Sequence, residues 1–465
     1  MRALSPAQIL ERLERRLPLL TGGPRDAPER QQTLRATIAW SYELLSADEQ
    51  ELFRGLGVFA GGWTLEAAEQ VAGGDLESLQ SLVEKSLVRF DGERYSMLET
   101  IREYALEQLE ERAETEQSRR RHAQFFLELA EATSSAEEAD YGGDYTLPDD
   151  GDNFRAAIDW SVAADELELG LRIAVALEQF WVINDVFEGI RRFEELLANS
   201  EKVDPLLRAR ALRCYGGCCH SAGRFLQSVR ASEESLTLFR EARDDRGVAV
   251  LLHRLAFARQ NIDEPELTRP LLEESLELYR RVGSRRGEAE VLAGFGYLAQ
   301  RQGDLERAVE FYTESLRMAV EVGFTWWVRN MRIALADAKL ELERPNDAES
   351  DAWEALRLAH RLGDRRGVFW SVVLLAWAAA IRGNLRRAGR LWGAALAESE
   401  RRPIGQWEHE RELYTGRVAR DTADFRHEED EGRRLWFDRA VEEELAGAAG
   451  AAGADALGGG HAGGG

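Results

Sequence analysis

A compact group of sulfur and nitrogen donors is the segment best suited to metal chemistry. Cys214, Cys218, Cys219 and His220 lie close together in the sequence, and Cys214 and Cys218 are about one helical turn apart. Zinc favours thiolate and imidazole ligands, but a structural zinc site needs four well-placed ones. Small buried cysteines also pack well inside helical proteins. The packing interpretation suffices here, and the sequence predicts no metal site.

Nucleotide chemistry would require a phosphate-binding loop. A Walker A loop places Lys and Ser or Thr after a glycine-rich turn, because backbone N–H groups and the lysine together neutralise the phosphates. The lysines of this chain are Lys85, Lys202 and Lys339, and none follows a glycine. Although Ser86 follows Lys85, no glycine-rich turn precedes the pair. We therefore expect neither an ATPase core nor a bound nucleotide cofactor.

Other catalytic patterns are also missing from the sequence. The histidines outside the cysteine segment are scattered, and no Ser/His/Asp, HExxH or paired-carboxylate arrangement stands out. The sequence therefore predicts a protein that is not an enzyme and that holds no cofactor.

The sequence repeats every 40 residues from about residue 206, and this repeat predicts the helices on which the cysteine segment and the later residues lie. Three sets of positions recur every 40 residues. One is leucine, at Leu236, Leu276, Leu316, Leu356 and Leu396. The second is glycine or tryptophan, at Gly247, Gly287, Trp327 and Gly367, and the third is a small residue, at Ala256, Gly296, Ala336 and Ala376; each set is called a column below. Turn glycines follow the small column at Gly223, Gly303 and Gly383. In later repeats the column of Cys218 holds Ala258, Leu298, Ala338 and Ala378, which favours packing for the cysteine.

Each repeat is predicted to be a helix, a short turn, a second helix ending at the leucine column, and a loop containing the Gly247 column. One such hairpin cannot bury its apolar face alone, so neighbouring hairpins stack into a superhelix with a concave surface. The segment GYLAQRQGDLERAVEFYTESL resembles a tetratricopeptide repeat, although that motif usually has a period of about 34 residues. The longer period implies longer helices or loops. The predicted role is a scaffold that binds a protein or a small-molecule effector.

Trp326 and Trp327 make one repeat different from the others, since Trp327 occupies the column of Gly287 and Gly367. Exposed aromatic pairs anchor ligands or partners, so Trp326 and Trp327 are candidate partner-binding residues. Packing between repeats is the alternative and the preferred interpretation, because tryptophan is highly buried on average.

The amino-terminal part follows a different pattern. Helices are predicted at 31–45, 47–56, 64–71 and 76–85, then two short strands in SLVRF and RYSML around the turn DGE, and a further helix at 100–112. Helices followed by a small β-hairpin are typical of a winged helix. An acidic loop is predicted at 140–153.

These segments together resemble a known class of regulators. The run from RQQTLRATIAWSYELLSADEQ to YSMLETIREYALEQL is similar to the winged-helix segment of bacterial signal-transduction ATPases with numerous domains (STAND). Specifically, the chain resembles regulators that join an NB-ARC-like module, a winged helix, tetratricopeptide repeats and often a LuxR-type or antibiotic-regulatory DNA-binding domain. The segments RALSPAQILERL, DNFRAAIDW and LWGAALAE resemble other parts of those proteins. The resemblance implies the carboxyl-terminal half of such a regulator, as a separate protein or a truncated one, without the ATPase core and with an ATPase partner possible in trans.

One site can be carried over from that resemblance. Related nucleotide switches have a Met-His-Asp motif whose histidine senses the nucleotide, and the matching residues here are Met97, Leu98 and Glu99. A leucine cannot hydrogen-bond a phosphate. The resemblance therefore implies a degenerate nucleotide-sensor position.

Charge and hydropathy restrict the partners. The 465 residues carry a formal net charge of −24, which repels nucleic acid and anionic membranes. The predicted recognition helix at 75–85 has several acids beside Lys85, so DNA binding by this chain is not expected. The longest apolar stretch, 368–381, is too short to cross a bilayer and predicts a buried helix. With few cysteines and no signal peptide, we expect a cytoplasmic protein.

The predicted fold class is mainly α, with a winged-helix domain followed by a tetratricopeptide-like α-solenoid. The segments are a remnant helix at 1–28, a winged helix at 29–114, a helical linker at 115–205, the repeats at 206–400, carboxyl-terminal helices at 401–445 and a disordered Gly/Ala tail at 446–465. The predicted function is a non-enzymatic regulatory and protein-interaction module. The alternative is a transcription factor that binds DNA through its own winged helix.

Overall fold

The computed structural model describes residues 34–139, 150–262 and 265–446, which form two compact units. The first unit contains described residues 34–133 and 150–176, and the second contains 134–139 and 177–446 apart from 263–264. The remnant helix predicted at 1–28, most of the acidic loop, and the Gly/Ala tail lie outside the described residues.

The first unit is helical with one small hairpin, as predicted. Its helices are α1 (Leu34–Glu43), α2 (Ala47–Leu56), α3 (Leu65–Ala67, continuing as a π-helical turn over Ala68–Ala72), α4 (Leu76–Glu84), α5 (Glu99–Glu111), α6 (Thr115–Ala139), α7 (Gly151–Ala163) and α8 (Leu167–Ala176). Helix α2 begins with a capping box in which Ser46 and Glu49 exchange hydrogen bonds. The acidic loop predicted through Asn153 ends earlier, because Asn153 is already helical and its amide donates to the carbonyl of Gly62 at 2.9 Å.

The hairpin consists of two antiparallel strands, β1 (Arg89–Phe90) and β2 (Tyr95–Ser96), with Phe90 opposite Tyr95. Trp63 extends the pairing by one bridge: it exchanges two backbone hydrogen bonds of 2.8 Å with Tyr95. The Trp63 ring is fully buried and stacks on Phe59 at 5.1 Å. The hairpin is thereby attached to the core of the first unit.

The second unit is entirely helical over its described residues. It starts with α9 (Glu178–Asn184), α10 (Val186–Leu197) and a 3-10 turn (Ser200–Lys202). Five helix pairs follow: α11 (Pro205–Ser221) with α12 (Phe225–Glu241), α13 (Asp245–Gln260) with α14 (Pro265–Arg281), α15 (Arg285–Arg301) with α16 (Leu305–Glu321), α17 (Thr325–Glu341) with α18 (Pro345–Arg361), and α19 (Arg365–Ile381) with α20 (Leu385–Arg401). The chain continues in α21 (Trp407–Val418), α22 (Ala423–Arg434) and a helical stretch at 437–446. The predicted tetratricopeptide-like solenoid is confirmed.

One prediction about the repeat is wrong in register. The column of Gly247 was expected in a loop, but it lies in the first turn of the first helix of each pair, where the side chain of Asp244 accepts from the N–H of Gly247 at 2.9 Å. The turns between repeats lie four residues earlier, at left-handed positions: Arg243 (φ 57°), Gly283 (φ 71°), Gly323 (φ 69°) and Gly363 (φ 64°). The second helices also continue past the leucine column, since α12 reaches Glu241. The predicted turns at Gly223, Gly303 and Gly383 are left-handed as expected.

At Gly247 and Gly287, glycine accommodates a large neighbour from the preceding helix, whereas Gly367 lies beside Ala359 and Arg329. A side chain at Gly247 would overlap the ring of Phe239, and one at Gly287 would overlap the ring of Tyr279. In the repeat that carries Trp327, the corresponding preceding residue is Ala319. The large and small partners are therefore exchanged at this position, which explains how Trp327 fits.

A serine column fastens the helices within a pair. The hydroxyl of Ser235 donates to the carbonyl of Ala209 at 2.7 Å, and the same bond recurs from Ser275 to Ala249 and from Ser315 to Ala289. These serines are fully buried, and a buried hydroxyl needs a hydrogen-bonding partner. The bond thus satisfies the serine and brings the two helices close.

The apolar stretch at 368–381 forms most of α19, whose residues from Gly367 to Ala380 are buried. Its neighbours include Trp392 and Trp407, and together they form a large hydrophobic core at the end of the array. Within the described residues, no helix is both long and apolar enough to cross a bilayer.

Candidate functional site

The second unit encloses a cavity of about 790 Å³ on the inner side of the repeats. Its walls come mainly from the first helices of successive pairs, which contribute one residue each from a single column of the repeat: Gly217, Phe257, Tyr297 and Asp337. Helix α9 on one side and α21 on the other complete the lining. Cavities of roughly 300–1,000 Å³ are the usual size for binding drug-sized ligands.

The array closes on itself around this cavity. At the turn after α11, a side chain at Gly223 would come within 2.6 Å of the imidazole of His409, which belongs to α21. Ile183 of α9 clusters with Leu362 from the turn before α19, and Trp326 packs against both. The first and last parts of the second unit therefore meet, and α21 lies over the inner surface.

An ion cluster lies at the α9 side of the cavity. The Glu178 carboxylate is 2.7 Å from the Arg254 guanidinium and 2.9 Å from that of Arg213. Burial raises the pKa of Glu178, but the two guanidinium groups lower it more, and the resulting pKa is about 2. Glu178 is therefore ionised and its charge is compensated.

A second cluster lies beneath α21. The Asp337 carboxylate accepts hydrogen bonds from the Tyr414 hydroxyl at 2.7 Å and from the Gln300 amide at 2.7 Å. Arg417 reaches the same carboxylate at 3.4 Å and binds Glu341 at 2.6 Å. Burial raises the pKa of Asp337 above its usual range, although Arg417 opposes the rise. These bonds attach α21 to α17, and α17 to α15.

A nearby carboxyl group on α21 has no such compensation. Burial and the neighbouring Asp337 carboxylate raise the pKa of Glu410 to about 7, against a weaker opposing effect of Arg417 and Arg366. At neutral pH, Glu410 is therefore partly protonated and is available as a hydrogen-bond donor.

Several polar atoms in the lining have no hydrogen-bonding partner within the described structure. They are Oε1 of Gln179, Nδ1 of His220, both ring nitrogens of His253 and Nε1 of Trp326. Burial lowers the pKa of His220 to about 4 and that of His253 to about 3, so both rings are neutral at pH 7. Since buried polar atoms are normally paired, unpaired ones in residues that line a cavity mark the part of its wall where we expect a ligand.

The four residues of the cysteine segment lie on α11. Cys214, Cys218 and Cys219 are fully buried free thiols, and His220 borders the cavity. Burial, with the Glu178 carboxylate nearby, raises the pKa of Cys214 to about 12. Among the described residues, no group of three or more potential ligands is placed to hold a metal ion.

The two tryptophans singled out in the sequence both border the cavity. Trp327 is 8% exposed, and its indole N–H donates to the Ser315 hydroxyl at 3.0 Å. Trp326 is half-buried, stacks against Phe324 and lies under the guanidinium of Arg329 at 5.3 Å. Trp327 thus takes part mainly in packing between repeats, and Trp326 is the more accessible to a ligand.

The degenerate sensor residues lie in the first unit. Leu98 is the residue before the first turn of α5, and its side chain is 43% exposed. Glu99 forms an ion pair with Arg102 at 2.7 Å, and Met97 is half-buried.

Sequence reasoning missed most of the cavity residues. The column of Phe257, Tyr297 and Asp337 was available as a signal, because these residues recur at the repeat spacing. Glu178 and the residues of α21 lie outside the repeats and had no such signal. Only the folding of the array brings them to the cavity.

Comparisons with known proteins agree with this architecture. A tetratricopeptide repeat family model matches residues 247–319. A Mycobacterium tuberculosis protein, provisionally named an HTH-type transcriptional regulator, is 37% identical over 229 residues, which is 46% of this chain and 26% of that protein. An uncharacterised M. tuberculosis protein is 38% identical over 125 residues, 24% of this chain and 32% of its own length. The chain therefore spans about a quarter to a third of the curated relatives it matches.

Two solved structures align with parts of this chain. One is a STAND protein with a tetratricopeptide repeat sensor from Pyrococcus horikoshii, with a TM-score of 0.45 and 16% identity over 96% of this chain and 72% of that one. The other is a Rap protein complexed with competence and sporulation factor, with a TM-score of 0.48 and 14% identity. The alignment covers 72% of this chain and 99% of that one. Residues 247–319 of this chain therefore match the tetratricopeptide repeat family, and 229 of its residues are homologous to a protein provisionally named an HTH-type transcriptional regulator.

Proposed function

We propose that the chain is a non-enzymatic regulatory module of a STAND-type bacterial transcriptional regulator, and that its repeat superhelix binds an effector. The observation that carries this proposal is the cavity of about 790 Å³ whose lining contains unpartnered polar atoms. Homology to an HTH-type transcriptional regulator supports the regulatory context.

The position of the cavity suggests how binding would be transmitted. A ligand there would contact the first helices of several repeats together with α9 and α21. It would therefore favour the arrangement in which these helices lie close together. Such a shift is limited by the difference in affinity between the two arrangements. We expect the closed array to be the ligand-bound form.

The first unit fits a winged helix that acts by packing rather than by reading DNA. Its order of helices followed by the β1–β2 hairpin is the order of that module. The one basic residue of α4 and its carboxyl end, Lys85, binds Glu49 at 2.5 Å, and Ser81 donates to the same carboxylate. Binding phosphate would require breaking this ion pair, so no observation favours the DNA-reading alternative.

The test uses a neutral apolar fluorophore, N-phenyl-1-naphthylamine, whose emission rises in an apolar site. We expect saturable binding of one molecule per full-length chain. Filling the cavity with Ala334→Trp, or from the opposite wall with Val182→Trp, is expected to weaken binding at least tenfold. Melting temperatures of both variants establish that they are folded.

Equal binding of the fluorophore by the parent chain and by two folded cavity-filling variants would contradict the proposal. Loss of binding in either folded variant would place the site within the cavity. Leu267 is 46% exposed and does not border the cavity, so Leu267→Ala serves as a control that should leave binding unchanged.

A further inference from the structure

Resting on the proposed function, we infer that the effector is an organic anion with an apolar body, and that Arg366 and His220 bind its anionic group. Carboxylates are the simplest members of this class. The inference depends on one arginine in the cavity lining that forms no ion pair, on an unpaired imidazole nitrogen in the same lining, and on the aromatic side chains next to both.

Most cationic groups in the lining are already neutralised. Arg254 is paired with Glu178, Arg417 with Asp337 and Glu341, and Arg329 forms a buried ion pair with Asp364. In each pair, the attraction between the opposite charges offsets the cost of burying them. They leave little attraction for an incoming anion.

Arg366 differs from them. It borders the cavity and is half-buried, yet within the described part of the chain it makes no ion pair and no hydrogen bond. The Glu410 carboxyl group is close enough for its pKa to respond to Arg366, but the two form no ion pair. A partly desolvated guanidinium without a carboxylate is a site for an anion, since its fork of N–H donors fits two oxygens.

His220 supplies a second donor beside Arg366. Its Nδ1 is buried without a partner. The Arg366 side chain lies near the end of α11, since a side chain added at Gly405 would be 3.6 Å from Cδ of Arg366 and 2.5 Å from the carbonyl oxygen of Ser221, the residue after His220. The neutral ring carries one N–H. Arg366 and His220 both belong to the cavity lining, and together they offer N–H donors of the kind that bind the two oxygens of a carboxylate.

The wall next to these donors is aromatic. The His220 ring contacts Phe225 at 5.5 Å and Phe257 at 6.3 Å, and Phe257 stacks on Tyr297 at 5.7 Å. On α19, Trp370 follows Arg366 by one helical turn, so both project from the same face of the helix. An apolar or aromatic body joined to the anionic group would therefore lie against these rings.

The test compares two fluorophores that share one skeleton: 8-anilinonaphthalene-1-sulfonate, which carries an anionic group, and neutral N-phenyl-1-naphthylamine. Arg366→Gln is expected to weaken binding of the sulfonate at least tenfold and to change binding of the neutral dye less than twofold. Arg366→Lys should retain part of the affinity because it keeps the charge. Arg386→Gln removes an exposed arginine outside the cavity and should change neither.

The outcomes separate this inference from the proposed function. If neither dye binds in the cavity, the proposed function fails. If the neutral dye binds, but Arg366→Gln lowers the affinity for both dyes equally or for neither of them, only the inference fails. Because the sulfonate also reports exposed apolar surface, its binding is counted only where Ala334→Trp abolishes it.

The source of the anionic group is resolved by displacement of the sulfonate dye. Competitors are 1-naphthoate and its amide, and a pentapeptide ending in Phe with a free or an amidated carboxyl terminus. Displacement by naphthoate alone assigns a free organic acid, and displacement by the free-terminus peptide alone assigns a chain terminus. Equal displacement by charged and neutral members of both pairs would overturn the inference.

Discussion

At the scale of single residues, the repeats show how one substitution is balanced by another. Phe239 and Tyr279 occupy the space beside Gly247 and Gly287, whereas Trp327 stands where its sister repeats have glycine and is preceded by Ala319. In these three repeats the core position is filled from one side of the contact, and in the fourth, where Gly367 meets Ala359, the Arg329 side chain lies beside it. Interiors are close-packed, so neither partner can change independently.

This exchange leads to a double-mutant prediction. Trp327→Gly is expected to lower the free energy of unfolding by about 3 kcal/mol, because it leaves a cavity and removes the hydrogen bond to Ser315. Adding Ala319→Phe, which recreates the pairing of the first repeats, should recover about 1 kcal/mol or more. Urea denaturation of the four members of the cycle measures the coupling. Additive effects would show that the two positions do not share one space.

Glu410 provides a residue-scale prediction about pH. Its pKa is about 7 in the folded chain against an ordinary value of 4.5. The folded state therefore binds more protons between these values, and the contribution of Glu410 to the free energy of unfolding falls as the pH rises from about 4.5 to 7. The groups that act on it are Asp337, Arg417 and Arg366.

We expect Glu410→Gln to be more stable than the parent by about 1 kcal/mol at pH 8, because the amide carries no charge to bury. The difference should disappear near pH 4.5. Urea unfolding at several pH values checks this, with Glu408→Gln, an exposed neighbour on α21, as the matched control. An advantage that grows towards low pH would contradict the assignment.

At the scale of elements, the end of the array is sealed by two helices in very close contact. Side chains added at Gly389 and Gly393 of α20 would collide with backbone atoms of α22, and one at Gly432 of α22 would collide with the backbone around Arg390. A backbone cannot move aside as a side chain can. These glycines therefore allow α22 to cover the last repeat.

Two identical substitutions at helical glycines should consequently have opposite effects. Gly393→Ala is expected to lower the free energy of unfolding by about 2 kcal/mol through overpacking, and to make α22 more sensitive to limited proteolysis. Gly416→Ala in α21 meets no atom within 4 Å and should raise it by about 0.5–1 kcal/mol, because glycine is a poor helix former. A stabilising effect of Gly393→Ala would show that α22 is not held in this contact.

At the scale of the whole molecule, charge decides which partners can approach. The net charge of −24 repels a polyanion, and the basic residue at the end of α4 is held by Glu49. The anion site proposed around Arg366 lies in a cavity of about 790 Å³, which has the size for a small ligand and not for a duplex.

The corresponding prediction concerns DNA. In a mobility-shift titration at about 150 mM salt, the full chain is expected to give no saturable shift with duplex DNA. Saturable, salt-sensitive and sequence-selective binding that is lost in Lys85→Gln would instead support the winged helix as a DNA reader. Lys202→Gln, a change of the same type outside the first unit, is the control.

Much of the fold was predictable from local patterns. The spacing of 40 residues predicted the helix pairs, and the segments SLVRF and RYSML predicted the hairpin at Phe90 and Tyr95. The register of the Gly247 column was not predictable in this way, because glycine is typical both of a turn and of a close contact inside a helix. Only the position of the Phe239 ring distinguishes the two.

The order and pairing of the helices are properties of the sequence itself, because each helix needs only its own periodicity and its immediate neighbour to bury an apolar face. The cavity is a property of the tertiary structure. Glu178 and Tyr414 are separated by most of the sequence of the second unit, and they line one cavity because the stacked repeats bring α9 and α21 to the same surface. A local pattern predicts each helix pair but not the arrangement of all five, and that arrangement places Arg366 at the cavity without an ion pair.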